Sequence, residues 1–96
     1  MASYVDTSVL VDVASKLETD ATALTSMSGT LSSAGGQVSN GWSDNNSAIF
    51  AKRFGEFSTA TGDLIKEIQN YAKFIKDCAK AYEELQSSAL SKMGGA

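Results

Sequence analysis

Chemistry in this chain would have to come from one cysteine and a set of carboxylates. The 96 residues contain no histidine and a single cysteine, Cys78. These counts exclude the usual zinc ligand sets, a Ser/His/Asp or Cys/His catalytic arrangement and an internal disulfide. The paired carboxylates Glu83 and Glu84 are adjacent on a predicted helix, where their side chains diverge by about 100° and form no acid/base dyad. We therefore expect no enzyme, no metal site and no cofactor.

The net charge and the N-terminal sequence exclude further classes of partner and of targeting segment. Eleven acidic and eight basic side chains give a net charge of -3, the wrong sign for a protein that binds a phosphate backbone. Nucleic acid is therefore not an expected partner. The first residues lack a basic cluster followed by an apolar run, and no stretch approaches the roughly 18 apolar residues of a membrane span. We expect neither a cleaved signal peptide nor an anchor.

Two arrays of apolar residues must position any functional side chain. In the first array, leucines recur every seven residues from Leu10. In the second, apolar residues from Phe50 to Leu85 follow alternating steps of four and three, which is the spacing of a long helix packed on other helices. Gly35, Gly36 and Gly41 separate the arrays. The pattern predicts one all-α domain over residues 1–96, an antiparallel hairpin with helices at about 7–38 and 44–90, a turn at 39–43 and a flexible tail at 91–96.

The apolar face of the second helix is too wide for a single neighbour. Ala51, Ile65 and Ala72 flank its main row on one side and Phe74 on the other, so one helix cannot cover both flanks. We therefore expect two hairpins to pair into a four-helix bundle. A homodimer is favoured, because nothing in the sequence demands a different mate, and a paralogous hairpin is the alternative. The predicted core and dimer residues are Leu10, Leu17, Leu24, Leu31, Phe50, Phe54, Phe57, Leu64, Ile68, Tyr71 and Ile75.

Trp42 is the only tryptophan, and it lies in the predicted turn, outside both arrays. An indole at a turn indicates either a hydrophobic clamp across the helix ends or presentation to a partner, and the two roles are compatible. Beside it, Ser43 or Asp44 is placed to cap the second helix by accepting from its free backbone N–H groups.

These features together resemble the WXG100 family, the small proteins exported by type VII secretion systems of Gram-positive bacteria and mycobacteria. The resemblance covers the whole chain by layout: about one hundred residues, two helices, one Trp in the central turn and a Gly-ended tail. In Gly41-Trp42-Ser43-Asp44, Trp42 matches the Trp of the family's Trp-X-Gly motif, and Asp44 stands where its Gly would be. The family's tail signal is a Tyr followed four residues later by Asp or Glu, whereas Tyr82 is followed by Gln86.

The resemblance implies a protein secreted without a cleaved signal peptide, with a cytoplasmic pool. Its export and recognition residues would be Gly41, Trp42, Asp44, Tyr82 and Glu83, the turn of one hairpin acting together with the tail of its partner. The implied partners are a second hairpin, the type VII secretion ATPase and, as a further candidate, a secreted toxin. Two alternatives stay open: a dedicated chaperone or targeting partner of a larger secreted toxin, and a cytoplasmic helical adaptor unrelated to secretion.

Overall fold

The chain folds into two long helices that lie side by side in opposite directions. A computed structural model describes residues 5–94, with side chains to residue 89. The first helix, α1, is Thr7–Gly41 and the second, α2, is Asn45–Gly94. No strand occurs in residues 5–94. The prediction of an all-α, two-helix fold is confirmed.

An N-cap supports α1, and its threonine hydroxyls find acceptors within the helix. Asp6 is its N-cap, and the Asp6 carboxylate accepts from the backbone N–H of Ser8 at 3.0 Å. Within the helix, threonine hydroxyls donate to the carbonyl four residues earlier, as from Thr25 to Ala21 at 2.8 Å. These bonds satisfy hydroxyl groups that would otherwise compete with the helical backbone. The same bond is made by Thr19, Thr22 and Thr30.

Both helices extend further than the sequence pattern predicts. α1 continues through Gly35 and Gly36 to Gly41, three residues beyond its predicted end at 38. Gly35 stays helical because tertiary packing needs a residue without a side chain there: a Cβ atom would lie 2.6 Å from the Phe54 ring. α2 continues through Gly94, so residues 91–94 of the predicted tail are helical. Residues 95 and 96 lie outside the described residues.

Small residues form the contact between the helices. The fully buried positions of α1 are Ala14, Ala21 and Gly35, and opposite them Ala72 and Ala79 of α2 are also buried. Such short side chains allow two helices to approach closely, and the larger apolar residues then pack along the sides of the seam. The core of this hairpin is therefore a narrow line of alanines and glycine.

Two contacts fix how the helices are aligned. Gly35 lies against Phe54, and the Glu18 carboxylate pairs with the Lys76 ammonium group nearer the other end. By this alignment Thr7, the first residue of α1, is level with about residues 82–87 of α2. The last turns of α2 therefore extend beyond α1, and the molecule measures 78 × 21 × 16 Å along its principal axes.

Candidate functional site

The turn between the helices is three residues long and is closed by a reciprocal cap. Trp42, Ser43 and Asp44 connect α1 to α2. The Asp44 carboxylate accepts from the backbone N–H of Ser47 at 2.9 Å, and the Ser47 hydroxyl accepts from the backbone N–H of Asp44 at 2.9 Å. Of the two residues considered as caps, Asp44 makes the bonds. The two bonds fix the angle at which the chain enters α2.

Asp44 is held in its charged form by this arrangement. The backbone N–H of Ser47 is the main cause that lowers the pKa of the Asp44 carboxyl, and the Trp42 indole N–H and the Asn46 backbone N–H lower it further. Hydrogen bonds donated to a carboxylate favour the ionised form. Asp44 therefore has a structural task, which is to cap α2.

Trp42 begins a row of stacked aromatic rings that continues along α2. Its ring centroid is 6.0 Å from that of Phe50, Phe50 is 5.6 Å from Phe54, and Phe54 is 6.3 Å from Phe57. Such tilted and offset pairs are favourable beyond the area that they bury. Trp42 nevertheless keeps 38% of its surface exposed. The indole thus contacts Phe50 on one side and is open to solvent on the other.

The second pair of predicted recognition residues lies at the far end of the molecule. Tyr82 and Glu83 are exposed side chains on α2, close to the level at which α1 begins. Some 37 residues of continuous helix separate Asn45 from Tyr82, which is about 55 Å at 1.5 Å per residue. A single chain therefore does not bring Trp42 and Tyr82 together. Gly41, the remaining predicted recognition residue, is the last residue of α1.

The predicted core row of α2 divides between two surfaces. Phe54, Ile68 and Ile75 are half-buried beside the alanine seam. In contrast, Phe57, Leu64 and Tyr71 are 50 to 64% exposed. On α1, Leu10, Leu17 and Leu24 are half-buried and Leu31 is exposed, while Phe50 of α2 is half-buried within the aromatic row.

Most of the large exposed apolar side chains lie on one face of the hairpin, although Val11 lies on the other. The Glu18–Lys76 ion pair lies on the opposite face of the hairpin. Leu17 is on the other side of the α1 seam from Glu18, and Tyr71 is on the other side of the α2 seam from Lys76. Leu17 and Tyr71 therefore lie on the apolar face. We call the apolar face the open face. Its large exposed members are Met27, Leu31, Val38, Phe57, Leu64, Tyr71, Phe74 and Leu85.

The sequence indicates two apolar flanks on α2, of which α1 covers one. Ser58, Ile65, Ala72 and Ala79, spaced by seven residues, are the row that faces α1. Their small size was the available signal, because only a row of short side chains permits close helix approach. Cys78 is half-buried.

Comparisons of the chain with protein-family models, with curated proteins and with solved structures return no match. Among residues 5–94, neither helix is long and apolar enough to cross a membrane. The described residues thus define a helical hairpin with an aromatic-lined turn and an open apolar face.

Proposed function

We propose that this chain is a non-enzymatic small protein that is exported by a type VII secretion system or acts as its adaptor. The observation that carries the proposal is the turn, where the Trp42 ring packs on Phe50 beside the Asp44 cap yet remains more than one third exposed. Exposed, immobilised Trp side chains are frequent recognition residues. Trp42 is the residue that matches the WXG100 pattern.

Pairing through the open face is the second part of the proposal. Large contiguous apolar surfaces on small proteins mark interaction sites, and this face runs over most of α2. A second hairpin laid on it would complete a four-helix bundle, and that hairpin is either another copy or a paralogue. Antiparallel pairing would also bring the turn of one hairpin toward the Tyr82 end of the other. The two groups of recognition residues, about 55 Å apart within one chain, would then lie close together between chains.

In this proposal the protein acts by presenting a surface and not by catalysis. The secretion ATPase would bind Trp42 and Gly41 at one end, together with Tyr82 and Glu83 on the exposed end of α2. The protein would leave the cell without a cleaved signal peptide, from a cytoplasmic pool.

An export assay tests the proposal directly. Wild type, Trp42→Ala and Ile49→Ala are compared by immunoblot of medium and lysate, with a cytosolic marker to exclude lysis. Ile49 is the matched control, because it is an exposed apolar residue near the turn that lies outside the aromatic row. We expect Trp42→Ala to reduce export about tenfold or more, as loss of a recognition residue worth at least 1.4 kcal/mol would do. Equal export of all three proteins would remove Trp42 as a recognition residue.

The open face also favours a second candidate, a companion of a larger secreted toxin. The toxin's helical targeting segment would then occupy the face in place of a second small hairpin. Tagged protein recovered from its native cell distinguishes the two: a toxin bound in equal amount supports the companion role, and an equally small hairpin supports the first.

A further inference from the structure

A groove on α2 combines a carboxylate with two aromatic rings. Glu67, Asn70, Tyr71 and Phe74 line it, and the two aromatic residues are 64% and 63% exposed. A guanidinium group suits such a site, because its flat face stacks on an aromatic ring while its N–H groups donate to the carboxylate oxygens. The residues that line the groove therefore indicate arginine as its ligand.

The chain contains one arginine, Arg53, and it lies in the same column of α2 as two residues of the groove. Arg53, Glu67 and Phe74 are spaced by multiples of seven residues, so their side chains leave α2 on the same side. This column borders the open face, beside the row that includes Phe57 and Leu64. Within residues 5–89, neither Arg53 nor Glu67 takes part in an ion pair. About 21 Å of helix separate the two residues, so Arg53 does not reach the groove of its own chain.

We infer that the groove is an arginine site that is filled by Arg53 of a second copy, in a dimer whose open faces pair antiparallel. The inference rests on the pairing role proposed above, and it chooses a second copy over a paralogue or a toxin. Both halves of the contact lie in one chain, so a twofold axis forms it twice, with Arg53 of each copy in the groove of the other. An interface between two identical chains requires a self-complementary surface of this kind.

Antiparallel pairing places the required groups side by side. When the open faces meet across a twofold axis perpendicular to the helices, α2 of one copy lies against α2 of the other through the row that includes Phe57 and Leu64. Equivalent columns of two antiparallel helices flank their contact on the same side, so the column of Arg53 in one copy runs beside that of Glu67 in the other. Charges at such flanking positions select the partner and its orientation.

One register of the two α2 helices seats Arg53 in the groove. With Phe57 set against Leu64 of the second copy, Arg53 is level with Ile68 of the second copy, which lies within the span of the groove. A shift by one heptad in either direction moves Arg53 about 10 Å along the second copy and out of that span. The arginine contact therefore fixes the register as well as the orientation of the pair.

The same register brings the turn of one hairpin toward the tail of the other. Asn45, the first residue of α2, is then level with Lys76 of the second copy. It lies about 9 Å along the axis from Tyr82 of the second copy. The arginine contact and the proposed recognition surface are therefore compatible in one dimer.

Self-association of the full chain tests the contact. It is measured by sedimentation equilibrium at low salt, after circular dichroism shows that each variant is helical. Arg53→Glu and Glu67→Arg each set like charges against each other twice per dimer, so we expect either variant alone to dimerise about tenfold or more weakly than wild type. Lys52→Glu is the matched control, because it makes the same charge change at an adjacent residue that points about 100° away from Arg53 and from the open face. It should dimerise nearly as wild type does.

Mixing the two variants tests whether the charges act between chains. In the mixed dimer the introduced carboxylate meets the introduced guanidinium group, and the unchanged Glu67 of one chain meets the unchanged Arg53 of the other. We expect the mixed dimer to be about tenfold or more tighter than either variant alone, and this gain to shrink in 1 M salt. The inference is overturned by a mixture that pairs no better than its components, by a control that loses as much as Arg53→Glu, or by a wild-type chain that stays monomeric.

These results are distinguishable from failure of the proposed function. Dimers that persist without the coupling between Arg53 and Glu67 would remove the arginine site and leave pairing through the open face standing. Export that does not depend on Trp42 would instead remove the proposed recognition role, whatever the charge variants show.

Discussion

At the scale of single residues, two neighbouring glycines have different tasks. A Cβ atom on Gly35 would lie 2.6 Å from the Phe54 ring, whereas one on Gly36 would meet nothing within 4 Å. Phe54 cannot move freely away, because its ring is stacked between Phe50 and Phe57. The first glycine is required by packing, and the second only weakens the helix.

This difference predicts opposite effects of the same substitution. Gly36→Ala should raise the free energy of unfolding by about 0.5–1 kcal/mol, because alanine loses less backbone entropy in a helix. Gly35→Ala should lower it by about 1–3 kcal/mol, the usual cost of overfilling a packed site. Urea denaturation followed by circular dichroism measures both. A gain at both positions would show that the Phe54 ring yields easily.

The capping carboxylates predict an acid-sensitive hairpin. Hydrogen bonds from Ser8 lower the pKa of Asp6, and those from Ser47 and Trp42 lower the pKa of Asp44, below their values in the unfolded chain. A carboxyl that binds its proton less readily when folded stabilises the fold at neutral pH, and this contribution is lost as the pH falls below about 4. Asp44→Asn, which keeps a capping side chain without the charge, should show a smaller loss of stability between pH 5 and pH 2. An unchanged profile would mean that other carboxyls dominate acid unfolding.

At the scale of the helices, the 3.5-residue period was sufficient to predict two helices and their antiparallel order. It was not sufficient to orient α2, because Phe57 and Leu64 continue the same apolar row as Phe54 and Ile68. The structure resolves this ambiguity through Ala72 and Ala79, whose small side chains bring α2 against α1. The cap at Asp44 was within reach of sequence reasoning, since residue type and position suffice for it. The stacking of Trp42 on Phe50 depends on where α1 ends. The low helix propensity of glycine predicts an end at about residue 38, whereas α1 continues to Gly41.

Because of the orientation of α2, substitutions of Ile68 and Leu64 compare the hairpin core with the open face. Ile68 is half-buried beside the seam and Leu64 is half-exposed on the open face. Ile68→Ala should lower the free energy of unfolding of the isolated chain by about 2 kcal/mol, and Leu64→Ala by about 0.5 kcal/mol or less. Leu64→Ala should instead weaken pairing, measured by sedimentation equilibrium. Equal losses of folding stability would show that the face assignment is wrong.

At the scale of the whole molecule, the unequal helices predict a tolerated truncation. Thr7 is level with about residues 82–87 of α2, so the residues beyond have no intrachain neighbour from α1. Removing the chain from Ser87 onward should change the free energy of unfolding by about 1 kcal/mol or less, as for other exposed helix ends. Tyr82 and Glu83 remain in the truncated chain, so a loss of export would place part of the recognition signal in the removed residues. A truncated chain that fails to fold would place these residues in the core.

The elongated form has a practical consequence for counting chains. The radius of gyration is 22.0 Å, while a compact protein of 96 residues has a radius of about 12.5 Å, and a compact protein with the observed value has roughly 400 residues. A single chain will therefore leave a gel-filtration column at the volume of a much heavier globular standard. A second hairpin laid lengthwise thickens the rod without extending it, so hydrodynamic size changes little on pairing. Elution volume will report the length of α2, and only a mass measurement will report how many chains are present.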